Sequence, residues 1–386
     1  MVTNYQGTDY QHYFTKEHDM LRKAVRDFVK KEILPHVEEW EEANDFPRDL
    51  YKKLGDLGFL GVGYPEEYGG TPGDIFDIVV VTEELCRSGS MGLVASIGSH
   101  GISLPPIVAH GTPGQKEKYL KPVIAGEKVS ALAVTEPSGG SDVANLKTTA
   151  EREGDYYIVN GSKTFITSAL HASQITCAVR TGGEGAHGIS FLIIDTDAPG
   201  FSVSKELKKT GWWASNTGEL FFNNCKVPIE NLIGEENQGF YYIMENFQAE
   251  RLSLAIMANM TSELCLEESL KYAKEREAFG KSLTGFQVTR HKLADMATML
   301  EASKEFTYRV AAKMNAGVDQ IKEVSMAKNF ACTVSNQVTF DATQIFGGYG
   351  FMRGYLVERL YRDNRILSIG GGTQEIMKEI ISKLIL

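Results

Sequence analysis

The chain has 386 residues, 42% hydrophobic and 23% charged, an ordinary globular composition with apolar content for two or three domains. Its formal net charge of −10 argues against non-specific nucleic-acid binding, which needs a basic surface, but leaves room for a local basic groove. Five scattered cysteines (Cys86, Cys177, Cys225, Cys265, Cys332) with no CxxC pair suit a reducing compartment and suggest neither a disulfide frame nor a zinc site.

The first residues carry neither the basic start nor the apolar run of a signal peptide. No uninterrupted apolar run approaches the ~20 residues of a membrane span. The expectation is a cytoplasmic protein, or the mature form of an organellar-matrix one, without membrane insertion.

Residues 14–125 read as helical. Met20/Leu21, Ala24/Val25, Phe28/Val29 and Ile33 recur every four residues, and Pro35 stops that helix. Helical patterning resumes over 50–57 and 75–86, with a Pro- and Gly-rich loop over 64–73 between them. Next comes a stretch rich in small residues: Ser96, Gly98, Ser99, Gly101 and Ser103. It is either a tight helix–helix contact or the lining of a pocket.

From Val129 the texture changes to strands. Residues 156–159 and 163–167 flank Asn160-Gly161 and predict a hairpin there. Further strands are expected at 175–179, 189–195, 201–203 and 219–222. From Gln238 the chain is helical to its end. Helices, then a compact β segment, then helices, predict an α+β fold with segregated layers. The expected domains are 1–127 (helical), 128–235 (β) and 236–386 (helical).

In the last segment, Ile243, Phe247, Leu254 and Met257 form one stripe of a helix, and Glu250 sits in the middle of it. A carboxylate on an apolar face is costly unless paired or protonated. Arg251 is no local partner, because side chains at i and i+1 diverge. Glu250 either borders a wide packing face or does chemistry.

Two motifs are false leads. Gly183-Glu-Gly-Ala-His-Gly188 fits GxGxxG but opens no helix, so it reads as a loop between strands. Gly280-Lys-Ser282 would need a glycine where Glu275 stands. The eight histidines show no metal-ligand spacing. The turn following Leu132 is more informative. It holds three small residues with free N–H groups, which can bring backbone against a flat ligand or an anion.

Ala133-Val-Thr-Glu-Pro-Ser-Gly-Gly-Ser-Asp142 resembles the first signature of the acyl-CoA dehydrogenase family. Gln344-Ile-Phe-Gly-Gly-Tyr-Gly-Phe351, continuing to Arg359 and Asp363, resembles the second. Arg276-Glu-Ala-Phe-Gly-Lys281 with Gln287, and Gly371-Gly-Thr-Gln-Glu-Ile376, are also similar to the family. Asn145 and Gly354 depart from the signatures at single positions. The resemblance implies an N-terminal helical domain, a middle β-barrel domain and a C-terminal four-helix bundle. It also implies FAD bound without a Rossmann motif.

By the same resemblance, Leu132, Val134, Thr135, Ser141, Phe165 and Thr167 would contact the flavin. Arg276, Phe279, Gln287, Gln344, Gly347 and Gly348 would hold the adenine half across a subunit boundary, in a homotetramer. Thr373 and Glu375 would help at the far end. Ser141, Gln248, Arg251, Gly371 and Gly372 would contact the acyl-CoA. Many relatives place the base directly before Gly-Thr, where this chain has Gly371, and a glycine cannot be a base. A minority branch, the isovaleryl and long-chain enzymes, places it in a Glu-Arg-Leu run like Glu250-Arg251-Leu252. The implied activity is α,β-dehydrogenation of long or branched acyl-CoA thioesters, with Glu250 as base and the Gly371 N–H as oxyanion donor. Electrons would pass to an electron-transfer flavoprotein. The alternatives are an oxygen-using acyl-CoA oxidase or flavin monooxygenase, and a nucleic-acid-binding relative of the alkylation response.

Overall fold

The computed structural model describes residues 10–386. Helix α1 (Lys16–Phe28) is capped by Thr15 and buries Val25 and Phe28. One wide turn, Val29–Ile33, extends it to just short of Pro35, where the stop was expected. Helices α2 (Ile75–Cys86) and α3 (Met91–Gly98) follow. The window Met91–His110 is long and apolar enough to cross a membrane, but 67% of it is buried inside the fold. Pro105 restarts it as a separate short helix. It is a core segment.

Eight strands follow: β1 (Ser130–Ala133), β2 (Thr149–Glu153), β3 (Tyr156–Thr167), β4 (Gln174–Arg180), β5 (Ile189–Asp195), β6 (Phe201–Val203), β7 (Thr217–Pro228) and β8 (Leu232–Ile233). They pair in the order β6-β7-β3-β2-β4-β5-β8, with β1 beside β4, in one mixed sheet. Both faces of its centre are buried. Ile175, Cys177, Val179, Leu192 and Ile194 fill one side. Ala178, Phe191 and Ile193, from the alternate positions, pack with Leu104, Ile107 and Leu120 of the helical layer on the other.

The expected hairpin at Asn160-Gly161 is not there. β3 runs straight through both residues, and the tight turn lies earlier, between Glu153 and Tyr156. Gly161 marks an irregularity instead: the register against β7 shifts between Val159 and Gly161, and its φ is +145°. A Cβ at Gly161 would stand 2.6 Å from Thr148 Oγ1 and 2.7 Å from Thr148 Cα. The glycine that looked like a turn signal permits a close backbone approach.

Helices α4 (Gly239–Glu275), α5 (Gln287–Asn315), α6 (Ile321–Phe346), α7 (Leu356–Asn364) and α8 (Gln374–Ile385) complete the fold. α4 is buried nearly all round from Leu254 to Leu266, so its central stretch is a core helix rather than a one-faced one. α6 packs on α4, α5, α7 and α8. The first and last helical layers share a single core, with Val25, Phe28 and Leu54 in one cluster with Leu254, Val324 and Leu360. Asp363 on α7 ties the layers together. Its carboxylate accepts from the backbone N–H of Met91 (3.2 Å) and of Trp212 (2.6 Å).

Strands β1 and β2 both run parallel to β4. Ala133 lies opposite Cys177, and Thr149 opposite Arg180. Residues 134–148 are therefore thrown out of the sheet as one excursion. A buried ion pair anchors it. Lys163 Nζ reaches Glu136 Oε1 at 2.8 Å and the Val134 carbonyl at 3.2 Å. Glu136 also accepts from the N–H of Lys147 (2.6 Å) and of Thr148 (2.9 Å). Burial alone would raise the Glu136 carboxyl, but the Lys163 ammonium and these donors outweigh it and lower it from 4.5 to about 2.

Two outcomes are expected. Gly161→Val should cost about 2 kcal/mol or more in chemical denaturation, because Thr148 and the strand must move apart. Glu136, ionised more readily folded than unfolded, stabilises the protein fully above its unfolded value of 4.5, and that contribution fades as pH falls towards about 2. The shift corresponds to about 3 kcal/mol. Glu136→Gln should therefore lower stability at pH 7 and flatten its fall over that window. Denaturation midpoints against pH, for variant and parent, measure both effects.

Candidate active site

The excursion, the bulged end of β3, the middle of α4 and the loop before α8 converge on one cavity of about 1480 Å³. Each wall has a local cause. Thr164 donates its N–H to the Thr135 carbonyl at 2.9 Å, which stitches β3 to the excursion. The register against β7 shifts again between Lys163 and Ile166. Phe165, in that bulge, takes φ +60°, a strained value for a bulky residue, and leaves its ring 69% exposed at the cavity. On α4, Phe247, Glu250, Leu254 and Met257 line the cavity, while Ile243, the first member of the stripe, is buried in the core against the sheet, so the stripe is part packing face and part cavity wall.

Glu250 is half-buried there, with no hydrogen bond or ion pair among the described residues. Burial pushes its carboxyl up to about 7, against a smaller opposing pull from Lys328 and Arg251. Arg251 beside it is buried, its Nε has no partner, and burial draws it below its usual range. On the loop before α8, Gly371 has φ +61°. A Cβ built on it would lie 3.5 Å from Glu250 Oε1 and 2.4 Å from Leu254 Cδ1. The Gly371 N–H has no hydrogen-bond partner among the described residues. The Gly371 loop thus comes close beside the Glu250 carboxyl, and only a residue without a side chain fits there.

Of the site residues expected from the sequence, Leu132, Val134, Thr135, Ser141, Phe165, Thr167, Glu250, Arg251, Gly371, Gly372 and Thr373 line this cavity. Arg276, Gly347 and Gly348 do not. They line a second cavity of about 390 Å³, between the start of the α4–α5 connection and the end of α6. Phe279 is 96% exposed, at φ +51°, and Gln248, Gln287, Gln344 and Glu375 line neither cavity. The two sets are not brought together within one chain.

Part of the small-residue run packs against a loop and a strand, and part of it lines the cavity. Ser96 Oγ meets Ser215 Oγ at 2.8 Å and Ser99 Oγ donates to the Ser130 carbonyl at 3.1 Å, so part of it is close packing. A Cβ on Gly98 or Gly101 would meet nothing within 4 Å, and both residues line the cavity. Sequence reading missed His100. Its ring stacks on Tyr51 at 5.1 Å, both its nitrogens lack partners, and burial pushes it down to about 3, so it stays neutral. It also missed Lys163, Glu136 and Lys328. Nothing in a sequence marks a lysine as buried; only the pairing partners do.

The first cavity fits a flat ring with polar edges. It offers an exposed aromatic side chain at Phe165 and hydroxyl-bearing residues at Thr135 and Thr167. These groups suit an isoalloxazine.

The acyl-CoA dehydrogenase N-terminal, middle and C-terminal domain families match residues 15–127, 131–225 and 237–386. An acyl-CoA dehydrogenase of Bacillus subtilis is 42% identical over 376 residues, 97% of this chain and 99% of that one. The structure of a probable acyl-CoA dehydrogenase from Mycobacterium abscessus superposes with a TM-score of 0.95 at 49% identity, covering 97% of this chain and 100% of that one. The structure of an acyl-CoA dehydrogenase from Bacillus anthracis, complexed with FAD, gives 0.92 at 33% identity over 100% of this chain and 69% of that one. With all three domains matched in order, the chain belongs to the acyl-CoA dehydrogenase family, FAD-dependent oxidoreductases acting on acyl-CoA thioesters.

Proposed function

We propose that Glu250 is the general base of this enzyme, that its acyl groups are long or branched, and that its electrons go to an electron-transfer flavoprotein. The observation that carries the first part is an unpaired carboxyl on a cavity-lining helix face, beside a glycine loop whose Gly371 N–H has no partner among the described residues. With its carboxyl near 7, Glu250 is about half ionised at neutral pH, ready to accept a proton and to hold it afterwards. The α-proton of a bound thioester goes to a Glu250 oxygen. The Gly371 N–H donates to the thioester oxygen, where negative charge collects. Bound FAD supplies the acceptor for the β-hydride. Leu254 and Met257 make the wall beside the carboxyl apolar.

The large cavity and its open wall at Gly98 and Gly101 support a long or branched acyl chain. So does a relative, the long-chain specific mitochondrial acyl-CoA dehydrogenase of Sus scrofa, at 38% identity over 96% of this chain and 86% of that one. The caffeyl-CoA reductase–Etf complex subunit CarC of Acetobacterium woodii, 39% identical, supports a flavoprotein partner. The separation of Arg276 and Phe279 from the first cavity supports a cofactor shared between subunits of a homotetramer. Its adenine half would rest on Arg276, Phe279, Gln287, Gln344, Gly347 and Gly348.

Glu250→Gln keeps the shape and cannot accept the proton. The purified variant should remain yellow and bind acyl-CoA, yet bleach anaerobically ~10²–10⁴-fold more slowly than the parent. Bleaching at the parental rate would remove Glu250 as base. In the parent, the bleaching rate should rise with pH through about 7, because only the ionised carboxylate accepts the proton. A rate flat from pH 5 to 9 contradicts the assignment. Oxygen consumption during turnover, without an added flavoprotein acceptor, would favour the oxidase reading instead.

A further inference from the structure

Lys328 belongs to no motif, and the chemistry above does not use it. It is fully buried on α6. Its Nζ donates to the carbonyl oxygens of Gly370 at 2.8 Å and of Gly372 at 2.5 Å. The Gly370 carbonyl and the Gly371 N–H are the two ends of one peptide group. A cation bonded to the carbonyl end draws electron density along the amide and strengthens the N–H at the other end as a donor. The same group fixes the plane of that peptide, in a loop of consecutive glycines that would otherwise hold its angle weakly.

We propose that Lys328 is a positioning residue for the dehydrogenation: through the Gly370–Gly371 peptide it orients and polarises the N–H that meets the thioester oxygen. The proposal rests on the reading of Gly371 as oxyanion donor, but not on Glu250 being the base. Few charges compete. The titratable and charged groups that act on Lys328 are Glu250 and Arg251 from α4, Cys332 one turn along its own helix, and Glu375 from α8. None is recorded in an ion pair with it. A buried ammonium that spends two of its three donors on main-chain carbonyls is acting on the loop.

The test uses the FAD-loaded enzyme and two variants. Lys328→Met removes charge and donor; Lys328→Gln keeps a donor without the charge. The first readout is the infrared stretch of a ¹³C-labelled thioester carbonyl in a bound 3-thiaacyl-CoA, which has no β-hydride to give. The parent should shift this band to lower frequency on binding, and Lys328→Met should lose about half of the shift or more. The second is anaerobic flavin reduction by the saturated acyl-CoA that works fastest on the parent. Its rate at saturation should fall about ten-fold or more in Lys328→Met, with the half-saturating concentration changed less than about three-fold. Lys328→Gln should lie between. A folded Lys328→Met with the parental band and rate overturns the proposal. So does failure of both variants to fold, which would make the lysine a folding element. If Glu250→Gln bleaches normally while the band shift still depends on Lys328, the base assignment fails and this one stands. If the parent shows no band shift at all, Gly371 is not the donor and both oxyanion claims fall together.

Discussion

A carboxyl group on an apolar helix face is the constraint around which this molecule is arranged. Isolated, Glu250 would cost several kcal/mol to keep charged away from water. A neighbouring arginine in a tight ion pair would remove that cost and, with it, the affinity for a proton. The fold does neither. It leaves the carboxyl at the edge of a large cavity, with cationic groups close enough to influence it and none close enough to bind it. The core shared by the first and last helical layers fixes α4 in place while its Glu250 face stays open.

The rest of the wall needs the same firmness from softer material. Strained or left-handed backbone lines the site: Phe165 at +60°, Gly371 at +61° and Gly372 at +92°. Such conformations persist only when their surroundings over-determine them. Here buried lysines do part of that. Lys163 holds the excursion from below through Glu136 and a main-chain carbonyl, and Lys328 holds the glycine loop through two. Each ammonium lies out of solvent, in contact with backbone the ligand would meet.

Much of this was legible in the sequence, for reasons that differ by residue. The layer order followed from the change of period at Val129 and again at Gln238. Glu250 stood out because period 3.6 is easy to see, and one charged letter among Phe247, Leu254 and Met257 breaks it. Asn160-Gly161 misled because a glycine in a strand and a glycine in a turn look the same in one dimension; the contact that distinguishes them is with Thr148, at the end of the excursion just before β2. Lys163, Lys328 and His100 were invisible because their partners are distant in sequence, and a lysine or histidine usually means surface. The two groups of cofactor residues were expected on opposite sides of a subunit boundary from the family resemblance, not from any local pattern, and within one chain Arg276, Gly347 and Gly348 do lie at a second cavity.

The closeness of Glu250 and Gly371 also bears on where the base can stand. If Glu250 is the base, as proposed, the alternative place that the family resemblance implies is Gly371 in this chain. Moving the carboxylate there is not a single step. A glutamate added at 371 would adopt a backbone angle suited to glycine, drive its Cβ into Leu254, and set one negative charge against another across a few ångströms. Losing Glu250 first leaves no proton acceptor on that wall. On these costs, an exchange of the two placements calls for changes at both positions together. The place of one carboxylate is in this way coupled to the backbone angle of a glycine on the neighbouring loop.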